Sequence, residues 1–195
     1  KGRSVGGRMA TRRVGPGFAD FGAQFITAHD AGFADLLARW EEAGLIHPWA
    51  AGFAQGSLRP SPDVVFYPRY VARDGMTSLA EHLAHGLDVQ TQVTVKAVRQ
   101  VQGGWQVEDA AGGLTLARRV LLTPPVPQSL ALLAAGHVEL SAADQAALAS
   151  ITYDPCLVGL FWLQGEIFLP PPGALMRSHH DLFWIADNQE KGISP

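Results

Sequence analysis

A mixed α/β (α+β) fold is predicted by three features of the 195-residue chain. Between Val89 and Thr123, extended and largely apolar stretches are separated by Gly103-Gly104 and Gly112-Gly113, the pattern of a β-meander. Between Ala31 and Ala43, Phe33, Leu36, Leu37 and Trp40 recur at helical spacing. From Cys156 to Leu163 an almost unbroken apolar run has the length of a buried strand and is far short of the ~20 residues that a membrane helix needs. Hydrophobic residues make up 47% of the chain, enough for a core in one large domain or two interleaved small ones.

The individual elements follow from local chemistry. Gly15-Pro16-Gly17-Phe18-Ala19-Asp20, with no strand expected before it, reads as a turn. Asp30 is the expected N-cap of the helix over 31–43, and Gly44 its stop. Residues 46–62 carry Pro48, Gly52, Gly56, Pro60 and Pro62, which predicts a loop-rich excursion with one or two short strands. Val64–Tyr67 and Arg69–Ala72 read as extended. A helix follows Gly75, with Leu79, Ala80, Leu83 and Ala84 as its apolar positions and Thr77 or Ser78 near its cap. In the meander, Val89–Val98, Trp105–Glu108 and Leu114–Thr123 are the strands, the last ending in Val120-Leu121-Leu122-Thr123-Pro124-Pro125. Helices are expected over 128–134 and 141–150, the second capped by Ser141 with Asp144 favourably placed in its first turn. Cys156–Leu163 is a predicted buried strand, Pro170–Pro172 a stiff turn, and His180–Ala186 a further extended segment.

Composition removes several function classes. A net charge of −3 offers no general attraction to nucleic acid or to an acidic membrane surface. The single cysteine, Cys156, rules out an intrachain disulfide, fits a reducing and therefore cytoplasmic setting, and is expected to be a small buried hydrophobe. There is no G-x-S-x-G elbow and no C-x-x-C pair for nucleophilic or zinc chemistry. His179-His180-Asp181 alternates faces if extended, so no metal is expected there. His82 and His85 share a helix face with no acidic partner nearby in sequence, as on a solvated surface.

The most informative segment is Val5-Gly6-Gly7-Arg8-Met9-Ala10-Thr11. Paired glycines permit positive φ and close approach of the backbone to a ligand, and an arginine after them supplies a permanent, planar charge for a phosphate. A mobile basic loop is the alternative. The segment resembles the Gly-Gly-Arg-x-x-Thr stretch of flavin-containing amine oxidases and their renalase-like relatives. Asp20-Phe21-Gly22-Ala23-Gln24 resembles the Asp-x-Gly-Ala-Gln stretch of the same family, and Gly75-Met76-Thr77-Ser78-Leu79 its Gly-Met-x-x-Leu step. These motifs, the meander and the Thr-Pro strand occur in the family's order along nearly the whole chain.

The resemblance implies a partial Rossmann-like FAD-binding domain with a β-meander, interleaved with an antiparallel-sheet substrate domain. The FAD domain would take 1–30 and 75–126, and the substrate domain 31–74 and 127–195. FAD would be held by Gly6, Gly7, Arg8 and Thr11 at the pyrophosphate, by Gln24 near the flavin, and by the backbone of Val95 at the adenine, with Val93 as the neighbouring alternative. Tyr70, Phe161, Phe183 and Trp184 are candidates for lining the cavity of a small-molecule substrate, or alternatively core residues. No catalytic residue is assigned, since hydride transfer to flavin leaves the hard chemistry to the cofactor.

No strand with a G-x-G-x-x-G turn precedes Lys1, so the chain is expected to be an internal piece of a longer flavoprotein, holding FAD weakly or not at all by itself and prone to self-association. The implied activity is hydride transfer from a small amine or a dihydronicotinamide. A carotenoid or protoporphyrinogen desaturase and a non-catalytic binding domain are the alternatives.

Overall fold

The computed structural model describes residues 2–55, 67–165, 167–177 and 181–195. In chain order its elements are β1 (Thr11–Val14), β2 (Gly17–Asp20), α1 (Ala31–Glu42), β3 (Ile46–Ala50), β4 (Ala54–Gln55), β5 (Arg69–Ala72) and α2 (Met76–Ala84). They continue with β6 (Val95–Val101), β7 (Gly104–Asp109), β8 (Leu114–Ala117), α3 (Val126–Ala135), α4 (Ala142–Ala149), β9 (Ala174–Met176) and β10 (Trp184–Ala186). This is the mixed α/β fold the sequence predicts. None of the described helices is long and apolar enough to cross a membrane. The chain divides into two compact units, one of Lys1–Arg3 with Val89–Leu157 and the other of Ser4–Asp88 with Val158–Pro195.

The unit containing the Gly-Gly-Arg segment is assembled from small sheets around α1 and α2. β1 and β2 form an antiparallel hairpin with Thr11 opposite Asp20 and Val14 opposite Gly17, and Gly15 supplies the positive φ (59°) of its turn. α1 starts as expected: the Asp30 carboxylate accepts from the Phe33 N–H at 3.0 Å, and Gly44 (φ 69°) follows the helix. β3 pairs antiparallel with β5, and Pro48 is tolerated because β3 has a partner on one side only and is bulged between Pro48 and Ala50. β9 lies between β10, antiparallel to it, and β4, parallel to it. Leu37, Ile46, Ala72, Met76 and Leu79 form the core. Each large apolar side chain buried there contributes about 1.5–3 kcal/mol.

The other unit is the predicted meander, β6-β7-β8, with α3 packed on β6. Gly136, just after α3, is required by that packing, because a Cβ there would lie 1.8 Å from the Val98 carbonyl oxygen. The second turn is held by Asp109, which accepts from the N–H groups of Ala111 (2.7 Å) and Gly113 (2.9 Å). On β7, Glu108 pairs with Lys96 at 2.6 Å and with Arg99. Ser141 caps α4 by accepting from Asp144 N–H at 3.1 Å.

Three expectations are corrected. The strand expected over Leu114–Thr123 ends at Ala117, because Ala117 already faces Trp105 and β7 has only Gly104 left beyond it. The apolar run Cys156–Leu163 is not a strand: no described segment pairs with it, Leu157 is 98% and Phe161 80% exposed, and Cys156 is exposed instead of buried. The turn expected over Gly15–Asp20 is shorter and is preceded by a strand, because Gly17–Asp20 pairs with Thr11–Val14 as the second strand of a hairpin. Thr77 and Ser78 stand near the Gly75 N-cap of α2 as expected, while the side chains that satisfy the first N–H groups of the helix come from Asp20 and Thr11. The turn at Pro170–Pro172 is present, closed by Gly173 N–H to the Pro170 carbonyl at 2.9 Å. Val64–Phe66 and His179-His180 lie outside the described residues.

Candidate functional site

Gly6 (φ 101°) precedes a single 3-10 turn, Gly7–Met9, closed by Met9 N–H to the Gly6 carbonyl at 2.8 Å. Gly7 also has positive φ (49°), so both glycines adopt backbone that L side chains avoid. The turn is strapped from one side by the Asp-x-Gly-Ala-Gln segment. Ala23 N–H donates to the Arg8 carbonyl at 2.7 Å, and Phe21 N–H to the Ala10 carbonyl at 3.1 Å. Gly22 makes this approach possible, since a Cβ there would sit 2.0 Å from the Arg8 carbonyl oxygen. Gly7 has open space where a Cβ would point, and Gly7 and Arg8 are exposed. The loop is therefore rigidly backed and open in front.

Beneath it lies a hydrogen-bond network centred on Asp20. One carboxylate oxygen accepts from the Met76 N–H at 2.9 Å and from the Thr11 hydroxyl. The other accepts from the Lys191 ammonium at 2.7 Å, with both side chains fully buried. Thr11 and Thr77 are reciprocal partners: Thr11 N–H donates to the Thr77 hydroxyl (2.7 Å), and Thr77 N–H to the Thr11 hydroxyl (3.1 Å). Thr77 in turn donates to the Met9 carbonyl at 3.1 Å. The first N–H groups of α2 are thus satisfied by Asp20 and Thr11, and the negative carboxylate complements the positive end of the helix.

These bonds decide what each predicted residue can do. The single proton of the Thr11 hydroxyl goes to Asp20, so Thr11 has no proton left for a phosphate oxygen and acts by tying the loop to α2. Gln24 turns its amide N–H groups to the carbonyls of Asp20 (2.7 Å) and Gly22 (3.2 Å), while its oxygen faces Lys191 at 3.5 Å. Gly6, Gly7, Arg8, Thr11 and Gln24 therefore share one unit and one network, whereas Val95 opens β6 in the other unit.

Lys191 is also 5.2 Å from the Trp49 ring centroid. Burial pushes the Lys191 ammonium below its ordinary pKa, with Asp20 opposing that shift by attraction and hydrogen bonding. Sequence reasoning found the motif that contains Asp20 but neither the role of Asp20 nor Lys191. The two are 171 residues apart, and nothing in the sequence near either residue marks the contact.

Next to the Gly7–Met9 turn is an open groove of about 380 Å³, walled by Met9, Ala23, Phe33, Trp40, Met76 and Leu79 among others. Among the described residues lining it, Thr27 carries the only hydroxyl, and that hydroxyl is buried without a partner.

Of the four cavity candidates, Trp184 alone joins an aromatic cluster, with ring centroids 4.8 Å from Phe53, 6.1 Å from Phe25 and 6.1 Å from Trp49. Tyr70 packs against the core, and burial together with Glu41 raises its phenol pKa. Phe161 and Phe183 are exposed, at 80% and 53%. No group of three or more metal-ligating side chains occurs among the described residues.

The chain is similar to a protein named renalase from Mus musculus, with 27% identity over 208 aligned positions that cover 99% of this chain. The chain spans 58% of the length of that curated relative. No family model matches. The likeness is distant but runs almost end to end.

Proposed function

We propose that this chain is part of a flavin-dependent oxidoreductase, in which the Gly6–Arg8 turn receives the pyrophosphate of FAD and a small nitrogen compound is the hydride donor. The reading rests above all on the Gly6–Arg8 turn, backed by the main chain of Gly22-Ala23, with its front open at Gly7 and an arginine beside it. The renalase likeness over nearly the whole chain supports the same reading. When bound, FAD would supply the hydride acceptor.

The chain's own residues bind and orient. Gly7 lets an anion approach the main chain, and Arg8 offers charge-assisted donors to it. Asp20 fixes the loop indirectly, through the Thr11 hydroxyl and the Met76 N–H, and Lys191 keeps a positive charge against that carboxylate. Thr77, which holds Met9 and Thr11 together, sets the distance between the turn and α2.

The groove beside Met9 and Ala23 favours a neutral flat ring over a protonated aliphatic amine. None of the described residues lining it is acidic, so an ammonium ion would lose its hydration there without a counter-charge. A dihydronicotinamide-type donor fits better than a simple amine.

The test is anaerobic rapid mixing of the protein from the complete reading frame that contains this chain, reconstituted with FAD. Bleaching of the flavin band by dihydronicotinamide isomers, and slow or no bleaching by monoamines, is expected. Rapid reduction by monoamines alone would reject the preference read from the groove, and no reduction by either class would reject the oxidoreductase reading.

A further inference from the structure

A second constellation in the Ser4–Asp88 and Val158–Pro195 unit has donors without acceptors. The Arg69 guanidinium stacks over two rings, 5.3 Å from the Phe25 centroid and 4.8 Å from that of Phe53. Its Nη1 donates to the carbonyls of Ala51 (3.0 Å) and Tyr67 (3.2 Å), which are neutral. Its Nε–H is buried with no acceptor among the described residues, and no described carboxylate forms an ion pair with it. The Trp184 indole packs against the same two rings, and its Nε1–H is likewise buried without an acceptor among the described residues. By contrast the neighbouring Trp49 indole N–H is satisfied by the Pro172 carbonyl at 2.9 Å. Leaving a buried donor unpaired is costly, so two such donors around the same pair of rings mark a place prepared for an acceptor.

We propose that Arg69 and Trp184 form a binding site for the carboxylate of a small aromatic acid. Both orphan groups are pure donors, which calls for an acceptor-only partner. The site carries one positive charge, which a monoanion neutralises; a phosphate dianion would leave excess charge among Phe25, Phe53 and Trp49. A carboxylate offers two acceptor oxygens, and the surrounding rings favour a flat apolar body behind it. The site is independent of the flavin reading, because its test measures binding to the flavin-free protein and involves no cofactor.

Benzoate is the probe and benzamide its neutral counterpart, each titrated into the flavin-free, 15N-labelled protein from the complete reading frame while its indole N–H resonances are followed. The Trp184 resonance is the one missing from Trp184→Phe, which keeps an aromatic ring and removes the donor. Benzoate is expected to move that resonance saturably with Kd on the order of 1 mM or tighter, and benzamide to leave it in place. Arg69→Gln should weaken benzoate at least about tenfold. No movement of the Trp184 resonance at about 10 mM benzoate, or equal binding of benzamide, overturns the site. Unchanged benzoate affinity in a folded Arg69→Gln protein also overturns it; should that variant fail to fold, the comparison of the two probes on the unsubstituted protein still decides.

Discussion

Replacing Lys191 by methionine removes a fully buried ammonium from a fully buried carboxylate and leaves a side chain of similar length. Asp20 keeps the Met76 N–H and the Thr11 hydroxyl, but its second oxygen loses the donor at 2.7 Å and the carboxylate loses its counter-charge. Breaking one side of such a pair costs about 3–5 kcal/mol, and the contact with Trp49 adds about 0.5–1 kcal/mol. Against a domain stability of about 5–15 kcal/mol this is a large fraction. Urea unfolding at neutral pH, followed by far-UV circular dichroism, should show the transition moved well to lower urea.

The double variant Asp20→Asn with Lys191→Met distinguishes a stranded charge from lost packing. The asparagine carbonyl still accepts from Met76 and Thr11, and no charge remains buried. It should therefore be more stable than Lys191→Met alone, by about 1–3 kcal/mol. A cost below about 1 kcal/mol for the single variant, or a double variant less stable than it, would refute the reasoning.

Further outcomes follow from local geometry. Gly22→Ala would place a Cβ against main-chain atoms of Arg8 and Ala10, which cannot swing away, so thermal unfolding should report a loss of about 1–3 kcal/mol; a loss below about 0.5 kcal/mol would contradict the close approach. Asp30→Ala should cost about 0.5–2 kcal/mol through the lost cap on α1, with Asp30→Asn restoring most of it. The Glu108 carboxyl is held below its ordinary pKa by hydrogen bonds from Lys96 and then Arg99. Its folded pKa is therefore the lower one: its stabilisation is complete above the ordinary value of 4.5 and disappears as pH falls through the lowered value. Stability measured from neutral pH down to acid should fall less steeply in Glu108→Gln than in the parent.

Local signals in the sequence read out well. α1 was legible because its stripe, its Asp30 cap and its Gly44 stop agree, and the meander because two Gly-Gly pairs mark its turns. Apolar runs read less well. Cys156–Leu163 has strand composition, yet a strand exists only where another segment bonds its backbone, and none of the described residues does so. What satisfies the start of α2 is not legible in the sequence for a related reason. Thr77 has the right chemistry, but Asp20 reaches the helix from 56 residues away. The Gly-Gly-Arg turn could be found from its residue types, whereas the Asp20–Lys191 pair beneath it depends on a contact spanning most of the chain.

The central claim is that Arg8 and the turn before it hold a dinucleotide. The direct measurement is the FAD affinity of the protein from the complete reading frame, by equilibrium titration of flavin fluorescence, for the unsubstituted protein and for Arg8→Ala. A charge-assisted hydrogen bond contributes about 1.5–3 kcal/mol, so affinity should fall about ten- to hundredfold while the flavin-free protein keeps its fold by far-UV circular dichroism. Equal affinity in the two proteins, or no flavin binding by either, would contradict the account.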